Sequence, residues 1–356
     1  MRINMKKITT SLLMMVLALP STLSALELDK DGYYLIHNAD ELVQYKKSSE
    51  MKSEINGRLA ADIDLSPICG IINEDTINWE PINSPKSSFD GANHTISNFY
   101  YNSPDSSNVG FFKEINQVSN LILKNAYVRG KKNVVGFAKA KKINNCHFEG
   151  IVEGGDNTSI MVCDTLTNCS NYGCCLGNKN VYGMIAKKYV ENCYNRGDLY
   201  GFDNTAAFDG SFSGDQSNLY NIGKTKSIIG DYGLLNEHNR NRLTSCYVLD
   251  TFSTFSDREN SEYDSKSFYI FPLSKFETGD VTDSLNKYVT EHPTSDKKCP
   301  LLSWVQGKDG LPRFEHVDLQ PTEIHVVKFT GAYKGYTRIQ NGSVTLPKST
   351  DPMYDF

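Results

Sequence analysis

The sequence lacks the short motifs that mark the commoner catalytic chemistries. It has no Gly-x-Gly-x-x-Gly segment and no Walker-type loop, so nothing in it supports nucleotide binding. It has no HExxH segment, and no CxxC pair with a matching pair or a His partner, which argues against a zinc site. We therefore assign no catalytic, cofactor-binding or metal-ligating residue from the sequence, and we expect no cofactor.

Long apolar runs are scarce as well. One run, Leu12 to Leu19, follows Arg2, Lys6 and Lys7 and precedes several small residues, as in a secretory signal peptide. The run is too short to cross a membrane as a helix. We therefore predict a signal peptide over residues 1–25 and an exported protein, secreted or at the cell surface, with no membrane span after the signal is removed.

The chain has no excess of basic residues. Its 37 Lys and Arg against 42 Asp and Glu give a formal net charge of −5. Proteins that bind nucleic acids present a basic face to the phosphates, so we do not expect a nucleic acid as partner.

Cysteine is present but in an odd number, nine. Four of the nine recur at one position of an internal repeat, where small apolar side chains would stack in a core. We expect these four to be free thiols. Cys163, Cys174 and Cys175 fall in neighbouring repeats and are the better candidates for one disulfide.

A recurring phrase is the most regular feature of the chain: an apolar residue, then polar residues that include Asn, then Leu or Cys. The Leu or Cys falls at 121, 146, 169, 193, 219 and 246, so the spacings are 25, 23, 24, 26 and 27 residues. A period in the twenties indicates a solenoid or a repeat array. The phrases are Val118-Ser119-Asn120-Leu121, Ile143-Asn144-Asn145-Cys146, Leu166-Thr167-Asn168-Cys169, Val190-Glu191-Asn192-Cys193, Gln216-Ser217-Asn218-Leu219 and Leu243-Thr244-Ser245-Cys246.

A second phrase runs in step with the first and places apolar residues around a Gly. It occurs as Val109-Gly110-Phe111, Val135-Gly136-Phe137 and Tyr182-Gly183-Met184. Short apolar segments separated by turn residues are typical of strands. A unit of about 25 residues buries its apolar face only by stacking on its neighbours, so we predict an all-β fold, a right-handed parallel β-helix.

The Asn column supports that fold. Side-chain amides that lie above one another at a corner can form a hydrogen-bonded ladder. Asn also marks turns, but a turn alone does not require the same offset from a core residue in every repeat. We expect a ladder formed by Asn120, Asn145, Asn168, Asn192 and Asn218, with Ser245 at its end.

Segments outside the repeats complete the predicted organisation. Tyr33 to Ile36 reads as a strand, and Asn38 with Glu41 reads as a capping box that begins a helix of about ten residues. We divide the chain into five parts: signal peptide 1–25, N-terminal cap of a strand plus a short helix 26–56, β-helix repeats 57–252, worn repeat and C-terminal cap 253–320, and a small β module, complete or incomplete, 321–356.

Several segments resemble a known family. The phrases Ala61-Asp62-Ile63-Asp64-Leu65-Ser66, Phe89-Asp90-Gly91-Ala92-Asn93-His94-Thr95-Ile96 and Asn192-Cys193-Tyr194-Asn195-Arg196-Gly197 are similar to those of bacterial surface proteins with GLUG-type repeats. The match to the Gly-Leu-hydrophobic-Gly element is loose, because Phe or Met replaces Leu and the second Gly is missing. The last segment resembles the start of a Listeria–Bacteroides-type repeat. The resemblance implies a right-handed parallel β-helix in an exported protein, and it implies no reaction.

The sequence contains several side chains of the types that β-helix enzymes use. Such enzymes cluster Asp residues on one face, but Asp62 and Asp64 fit the first-coil motif as hydrogen-bonding residues, and Asp156 and Asp203 are at unmatched offsets. The seven His are scattered, and we expect a structural role for His94. Aromatic residues could stack on sugar rings, although a hydrophobic stack is the better expectation for any one of them: Tyr100, Tyr101, Tyr127, Tyr172, Tyr194, Tyr200 and Tyr220.

Our hypothesis is an exported bacterial β-solenoid that acts as an adhesin or an extracellular interaction scaffold, without catalysis. Host or environmental glycans, or surface proteins, are the partner classes that suit it. One alternative is a carbohydrate-active β-helix enzyme of the polysaccharide lyase or glycoside hydrolase type. Another is a module of a larger surface protein.

Overall fold

A computed structural model of the chain describes residues 27–51, 54–209, 215–231, 243–249, 268–295, 299–330, 334–340 and 342–344. The predicted signal peptide, residues 1–25, lies outside the described residues. So does the segment 253–267, which the sequence suggested to be a loop or a worn repeat.

The described chain is nearly all β and forms a parallel β-helix, which confirms the predicted fold class. Its coils stack because each strand pairs in parallel with the corresponding strand of the next coil. The strands of the stack are β1 (Tyr33–Ile36), β2 (Asn56–Leu59), β3 (Ile63–Asp64), β6 (Ile82–Asp90), β7 (Thr95–Ser97), β8 (Tyr100–Asn102), β9 (Ser107–Val109), β10 (Phe112–Arg129), β11 (Lys132–Glu153), β12 (Thr158–Thr167), β13 (Ser170–Asn171), β14 (Cys174–Leu176), β15 (Lys179–Asn195), β16 (Leu199–Asp209), β17 (Asp215–Asn221), β18 (Thr225–Asp231), β19 (Leu243–Leu249) and β20 (Phe268–Phe271). A side hairpin in the early coils consists of β4 (Gly70–Ile72) and β5 (Asp75–Ile77).

The Leu/Cys position of the first phrase forms a column inside the solenoid. The register pairs Leu121 with Cys146, Cys193 with Leu219, and Leu219 with Cys246. Every member of the column has 0% exposure. One sequence repeat therefore corresponds to one full coil of the solenoid.

The Gly of the second phrase stands where neighbouring coils leave no room for a side chain. A Cβ added at Gly110 would lie 2.4 Å from the carbonyl oxygen of Val135, and one at Gly183 would lie 2.6 Å from that of Ala207. Both contacts are with backbone of the next coil, so even a methyl group would push the coils apart.

The N-terminal helix begins where the capping box predicts. Helix α1 (Ala39–Met51) is preceded by Asn38, whose Oδ1 accepts from the backbone N–H of Glu41 at 3.0 Å. The Glu41 carboxylate accepts from the backbone N–H of His37 at 2.8 Å. Leu42 and Tyr45 are buried against the first strands of the solenoid core.

The Asn ladder is present, and its members adopt the left-handed conformation that Asn tolerates better than most residues. Asn145 donates to Asn120 at 2.9 Å, Asn192 to Asn168 at 2.7 Å, and Asn218 to Asn192 at 2.6 Å. One link departs from the pattern, because Asn168 donates to Asn144 at 3.1 Å and not to Asn145. The predicted ladder is confirmed for the five Asn residues with that one exception. It does not extend to Ser245, because Asn218 Oδ1 has no hydrogen-bond partner.

A second Asn ladder lies at another corner of the coil, and the sequence analysis did not identify it. Its amides donate from coil to coil at 2.8 to 3.1 Å, and all its members have positive φ. Each member directly precedes the second phrase or the strand that corresponds to it. The members are Asn108, Asn133, Asn157, Asn180 and Asn204.

All nine Cys are free and buried, so the expected thiols of the column are confirmed and the suggested bridge is wrong. Cys174 and Cys175 are adjacent on β14 and point to opposite sides of the strand. Cys175 belongs to the solenoid core, whereas Cys174 packs outside it with Leu176 and Tyr200. Burial raises the pKa of Cys163 and of Cys174 well above the ordinary value.

Residues 268–320, here called the C-terminal segment, contain helices that the sequence analysis did not predict. Strand β20 pairs with β19 and extends the stack by one strand. The segment continues as α2 (Leu273–Glu277), α3 (Asp280–Glu291) and a hairpin of β21 (Trp304–Gln306) and β22 (Pro312–Phe314). Val281, Leu285 and Tyr288 recur at helical spacing and pack against the outside of the solenoid. The segment therefore lies mainly along one side of the coils.

The end of the described chain forms a small antiparallel sheet of β23 (Val326–Thr330), β24 (Lys334–Gln340) and β25 (Ser343–Val344). Val326 and Tyr336 pack against the external cluster of Cys174, Leu176 and Tyr200. The remainder of the predicted β module, residues 345–356, lies outside the described residues.

Candidate functional site

One corner of the solenoid carries exposed lysines in successive coils. We call this set the lysine corner, and it lies where the chain turns from the strand after the second phrase toward the first phrase. Six of its seven lysines are exposed and one, Lys142, is half-buried. The lysine corner consists of Lys86, Lys113, Lys139, Lys141, Lys142, Lys187 and Lys188.

The coil stacking aligns these lysines along the solenoid axis. Lys142 pairs in register with Thr165, and Thr165 pairs with Tyr189. The preceding residues, Lys141, Asp164 and Lys188, therefore share one position in three consecutive coils. Neighbouring coils are about 4.8 Å apart. The corner is thus a row of cationic groups along several coils of a chain whose formal charge is −5.

Acidic groups neutralise the corner only in part. The half-buried Asp164 lies 3.9 Å from Lys187 and 3.6 Å from Lys188. Glu114 and Asp215 are exposed acids of the same corner, and Asp215 pairs in register with Tyr189. Lys187 and Lys188 nevertheless keep side-chain exposures of 58% and 64%. Within the described residues, the other lysines of the corner form no ion pair: Lys86, Lys113, Lys139, Lys141 and Lys142.

Another side of the solenoid is covered by the chain itself. Tyr194 and Tyr220 pair in register in consecutive coils, and Tyr172 of the preceding coil contacts Tyr194 through its hydroxyl and its ring. All three have 0% exposure beneath the C-terminal segment. Trp304 and Phe314 of that segment pack on the tyrosine row, with the Trp304 ring 5.4 Å from that of Tyr194. This side therefore presents the outer surface of the C-terminal segment to solvent.

Ladder residues anchor the C-terminal segment through hydrogen bonds. Asn168 donates to the Pro300 carbonyl and Asn192 to the Leu302 carbonyl, both at 2.9 Å. The Trp304 indole N–H donates to Asn192 Oδ1 at 2.8 Å. The same amides thus bind neighbouring coils and the segment that covers them.

Two pairs of titratable residues also connect the segment to the coils. Arg196 is paired with Asp309 and lies over the Tyr172 ring, 5.1 Å from its centroid. Burial alone would raise the pKa of Asp309, but the hydrogen bond and charge of Arg196 outweigh burial and lower it.

The second pair is His147 of β11 and His316 of the C-terminal segment. Their Nε2 atoms are 3.2 Å apart, and both lie near Asn145 Oδ1, at 3.0 and 2.8 Å. His147 has 0% exposure and its Nδ1 contacts Ser170 Oγ at 2.8 Å. Burial lowers the pKa of both imidazoles.

Three of the four acidic residues considered from the sequence serve as hydrogen-bond acceptors. Asp62 accepts from the Thr95 backbone at 2.8 Å and contacts His94 Nδ1 at 3.1 Å, which bears out a structural role for His94. Asp64 accepts from Ser66 and Asn98. Asp156 accepts from Asn178 at 3.2 Å. Asp203 lies on β16, where it pairs in register with Lys179 and Ile229 of the neighbouring coils.

The tyrosines considered as sugar-stacking residues divide into two groups. Tyr172, Tyr194, Tyr200 and Tyr220 are buried, and the first, second and fourth form the covered row. The others are half-buried, and Tyr127 donates to Glu153 at 3.0 Å and stacks on Tyr100.

Within the described ranges of the chain, no group of three or more His, Cys, Asp and Glu side chains is arranged to hold a metal ion. No helix there is both long and apolar enough to cross a membrane.

Comparisons with known proteins give little beyond the fold. No protein-family model matches the chain, and no curated protein matches it in sequence. A solved structure from Bacteroides ovatus, described as a "putative immunoglobulin A1 protease", aligns with a TM-score of 0.53 at 16% sequence identity. The alignment covers 82% of this chain and 94% of that chain. At this identity the likeness shows a shared β-solenoid architecture, and the class to which the chain belongs is that of β-helical proteins.

The lysine corner was missed in the sequence analysis although a signal for it exists. Lys113 and Lys139 both fall three residues after the Gly of the second phrase, and Lys187 falls four residues after it. The formal net charge of −5 is a sum over the whole chain and does not show this local excess of positive charge.

Proposed function

We propose that the protein is an exported bacterial β-helical binding protein, an adhesin or extracellular scaffold, whose lysine corner binds an acidic glycan. The observation that carries the proposal is the row of exposed lysines along successive coils. A linear polyanion can contact several such groups at once, and their contributions to binding accumulate along the chain of the ligand. Likeness to GLUG-type repeat proteins and the signal-like N-terminus support export.

The non-catalytic part of the proposal rests on how the other polar groups are used. Arg196, Asp309, His147 and His316 connect the C-terminal segment to the coils, and Asp62 and Asp64 accept structural hydrogen bonds. The name of the Bacteroides ovatus neighbour mentions a protease, but the likeness supports the architecture rather than a reaction.

The test is binding of polygalacturonate, with neutral dextran as the comparison polymer, to the full chain and to two fourfold variants. The first variant replaces Lys139, Lys141, Lys187 and Lys188 by Gln. The second is a matched control that replaces four exposed lysines elsewhere by Gln: Lys30, Lys47, Lys124 and Lys308.

We expect the full chain to bind polygalacturonate and not dextran, with affinity that falls as salt is added. The corner variant should bind roughly tenfold or more weakly, and the control variant should bind like the full chain, although both lose the same charge. Equal losses in both variants, or no binding by the full chain, would contradict the proposal.

The same samples distinguish the other readings. Release of reducing ends or of unsaturated sugars from the polymer would show a carbohydrate-active enzyme. Stronger binding of a DNA oligonucleotide than of polygalacturonate would show that the corner recognises phosphates, against the expectation from the negative net charge.

A further inference from the structure

The irregular link in the Asn ladder is explained by the histidine pair. At Asn120, Asn168 and Asn192, the amide oxygen accepts from the Asn of a following coil. Asn145 departs from this rule, since Asn168 donates to Asn144 instead. The Asn145 oxygen is directed out of the ladder and toward the two imidazoles.

The orientation of that amide is fixed by its nitrogen. Asn145 Nδ2 donates to Asn120 Oδ1 at 2.9 Å and to Asn93 Oδ1 at 3.0 Å. Both partners are oxygen acceptors, so the nitrogen has to face them and Oδ1 has to face His147 and His316. Three potential ligand atoms, two imidazole nitrogens and one carbonyl oxygen, therefore converge.

The separation of the two imidazole nitrogens fits one edge of a tetrahedral metal site, and the oxygen lies next to both of them. Zn–N bonds of about 2.0 to 2.1 Å place two ligand nitrogens about 3.3 Å apart in a tetrahedron. The Nε2 atoms here are 3.2 Å apart, and the oxygen lies 2.8 and 3.0 Å from them. Hydrogen bonds from both imidazoles to Oδ1 would also satisfy the three atoms, so metal uptake has to be measured.

The surroundings provide two further features of a metal site. Metal-bound His residues usually donate the other ring N–H to an oxygen, and His147 Nδ1 lies 2.8 Å from Ser170 Oγ. His147 is fully buried while His316 is exposed, so an ion can approach from the His316 side.

We propose that His147, His316 and Asn145 Oδ1 bind one divalent transition-metal ion of the zinc class, with water as the remaining ligand. Two imidazoles favour Zn²⁺, Co²⁺, Ni²⁺ or Cu²⁺ over Mg²⁺ and Ca²⁺, which prefer oxygen ligands. His147 belongs to the solenoid and His316 to the C-terminal segment. The ion therefore cross-links the two and stabilises the covered side of the solenoid.

The test is titration of the chelator-treated full chain with Zn²⁺ by calorimetry, and with Co²⁺ by visible absorption, which reports the coordination geometry. His316→Ala removes an exposed ligand without leaving a buried cavity. Ser170→Ala removes the partner of His147 and keeps all three ligands. His325→Ala is the control, because it removes another exposed His near the C-terminus.

We expect about one Zn²⁺ per full chain, tetrahedral Co²⁺ absorption, and a rise in Tm on addition of Zn²⁺. His316→Ala should lose the absorption and the Tm shift, Ser170→Ala should bind about tenfold more weakly, and His325→Ala should bind normally. Failure of the full chain to bind Zn²⁺, or equal binding by His316→Ala, would overturn the proposal. Glycan binding by the lysine corner does not enter this measurement.

Discussion

The guanidinium of Arg196, on the solenoid, is paired with the carboxylate of Asp309, which lies 113 residues further along the chain. The Arg196 side chain is only 3% exposed, whereas Asp309 is 34% exposed. A buried guanidinium remains charged, so its stability inside the protein depends on this one carboxylate and on the Tyr172 ring.

Substitution Asp309→Asn should lower the free energy of unfolding by about 2 kcal/mol, because it leaves the buried charge of Arg196 without its counterion. The partial exposure of Asp309 places the effect below that of a fully buried pair. Denaturant unfolding followed by tyrosine and tryptophan fluorescence measures it. Asp318→Asn is the control, since Asp318 is 85% exposed and 3.5 Å from Arg313, and it should change stability by less than about 0.5 kcal/mol. Equal effects of the two substitutions would contradict the assignment.

The same pair predicts a dependence of stability on acid pH. The pKa of Asp309 is lower in the folded protein than its ordinary value of 3.8. The unfolded chain therefore takes up a proton on this group first, and the stabilisation is complete above pH 3.8 and is lost as pH falls through the folded pKa. Unfolding measured between pH 7 and pH 2.5 should show the native protein and Asp309→Asn converging in stability at the acid end. A constant difference over that range would be inconsistent with the lowered pKa.

The ladders allow a matched pair of substitutions. Asn192 and Asn180 have nearly the same φ, 55° and 56°, and each lies in the middle of a ladder. Asn192 also bonds the Leu302 carbonyl and the Trp304 indole, in a buried environment. We expect Asn192→Ala to lower the free energy of unfolding by about 3 kcal/mol and Asn180→Ala by about 1 kcal/mol.

Both substitutions place Ala at a position with the same positive φ, so the backbone cost is the same in the two variants. The difference between their free energies of unfolding therefore reports the loss of the buried partners of Asn192. Loss of Trp304 contact should also appear as a shift in tryptophan emission in Asn192→Ala and not in Asn180→Ala. An equal loss of stability in the two variants would contradict the conclusion that the ladder anchors the C-terminal segment.

The thiols give a further prediction. All nine Cys are buried and free, and burial raises the pKa of Cys146 and Cys193 well above the ordinary value. A thiol that a disulfide reagent such as DTNB cannot reach reacts slowly, and a protonated thiol reacts more slowly still. Folded protein prepared without reductant should therefore react very little, and unfolded protein should give nine thiols per chain. Seven thiols after unfolding would restore the disulfide suggested for Cys163, Cys174 or Cys175.

Much of the fold could be predicted because it arises between residues one repeat apart. The Leu/Cys column and the first Asn ladder follow from a period near 25 residues, since each coil places equivalent residues directly above one another. The second ladder has the same cause, and Asn108, Asn133 and Asn180 precede Gly-containing phrases that the period had already identified.

The covered side could not be predicted in this way. Asn192 and Trp304 are 112 residues apart, and His147 and His316 are 169 apart, with no repeat that relates them. The helix over Asp280–Glu291 has a sequence signal in Val281, Leu285 and Tyr288, but the surface that it covers has none. The disulfide suggestion failed for a related reason: spacing in sequence does not show on which side of a strand a thiol points.

The solenoid, its corners, its core and the spacing of the corner lysines all follow from the amino-acid sequence, because each coil repeats the contacts of its neighbour. The side of the solenoid that the C-terminal segment covers, and the meeting of His147 and His316 at Asn145, are set only when the chain folds. Those two features depend on packing between segments far apart in the chain, where local sequence carries no periodic signal.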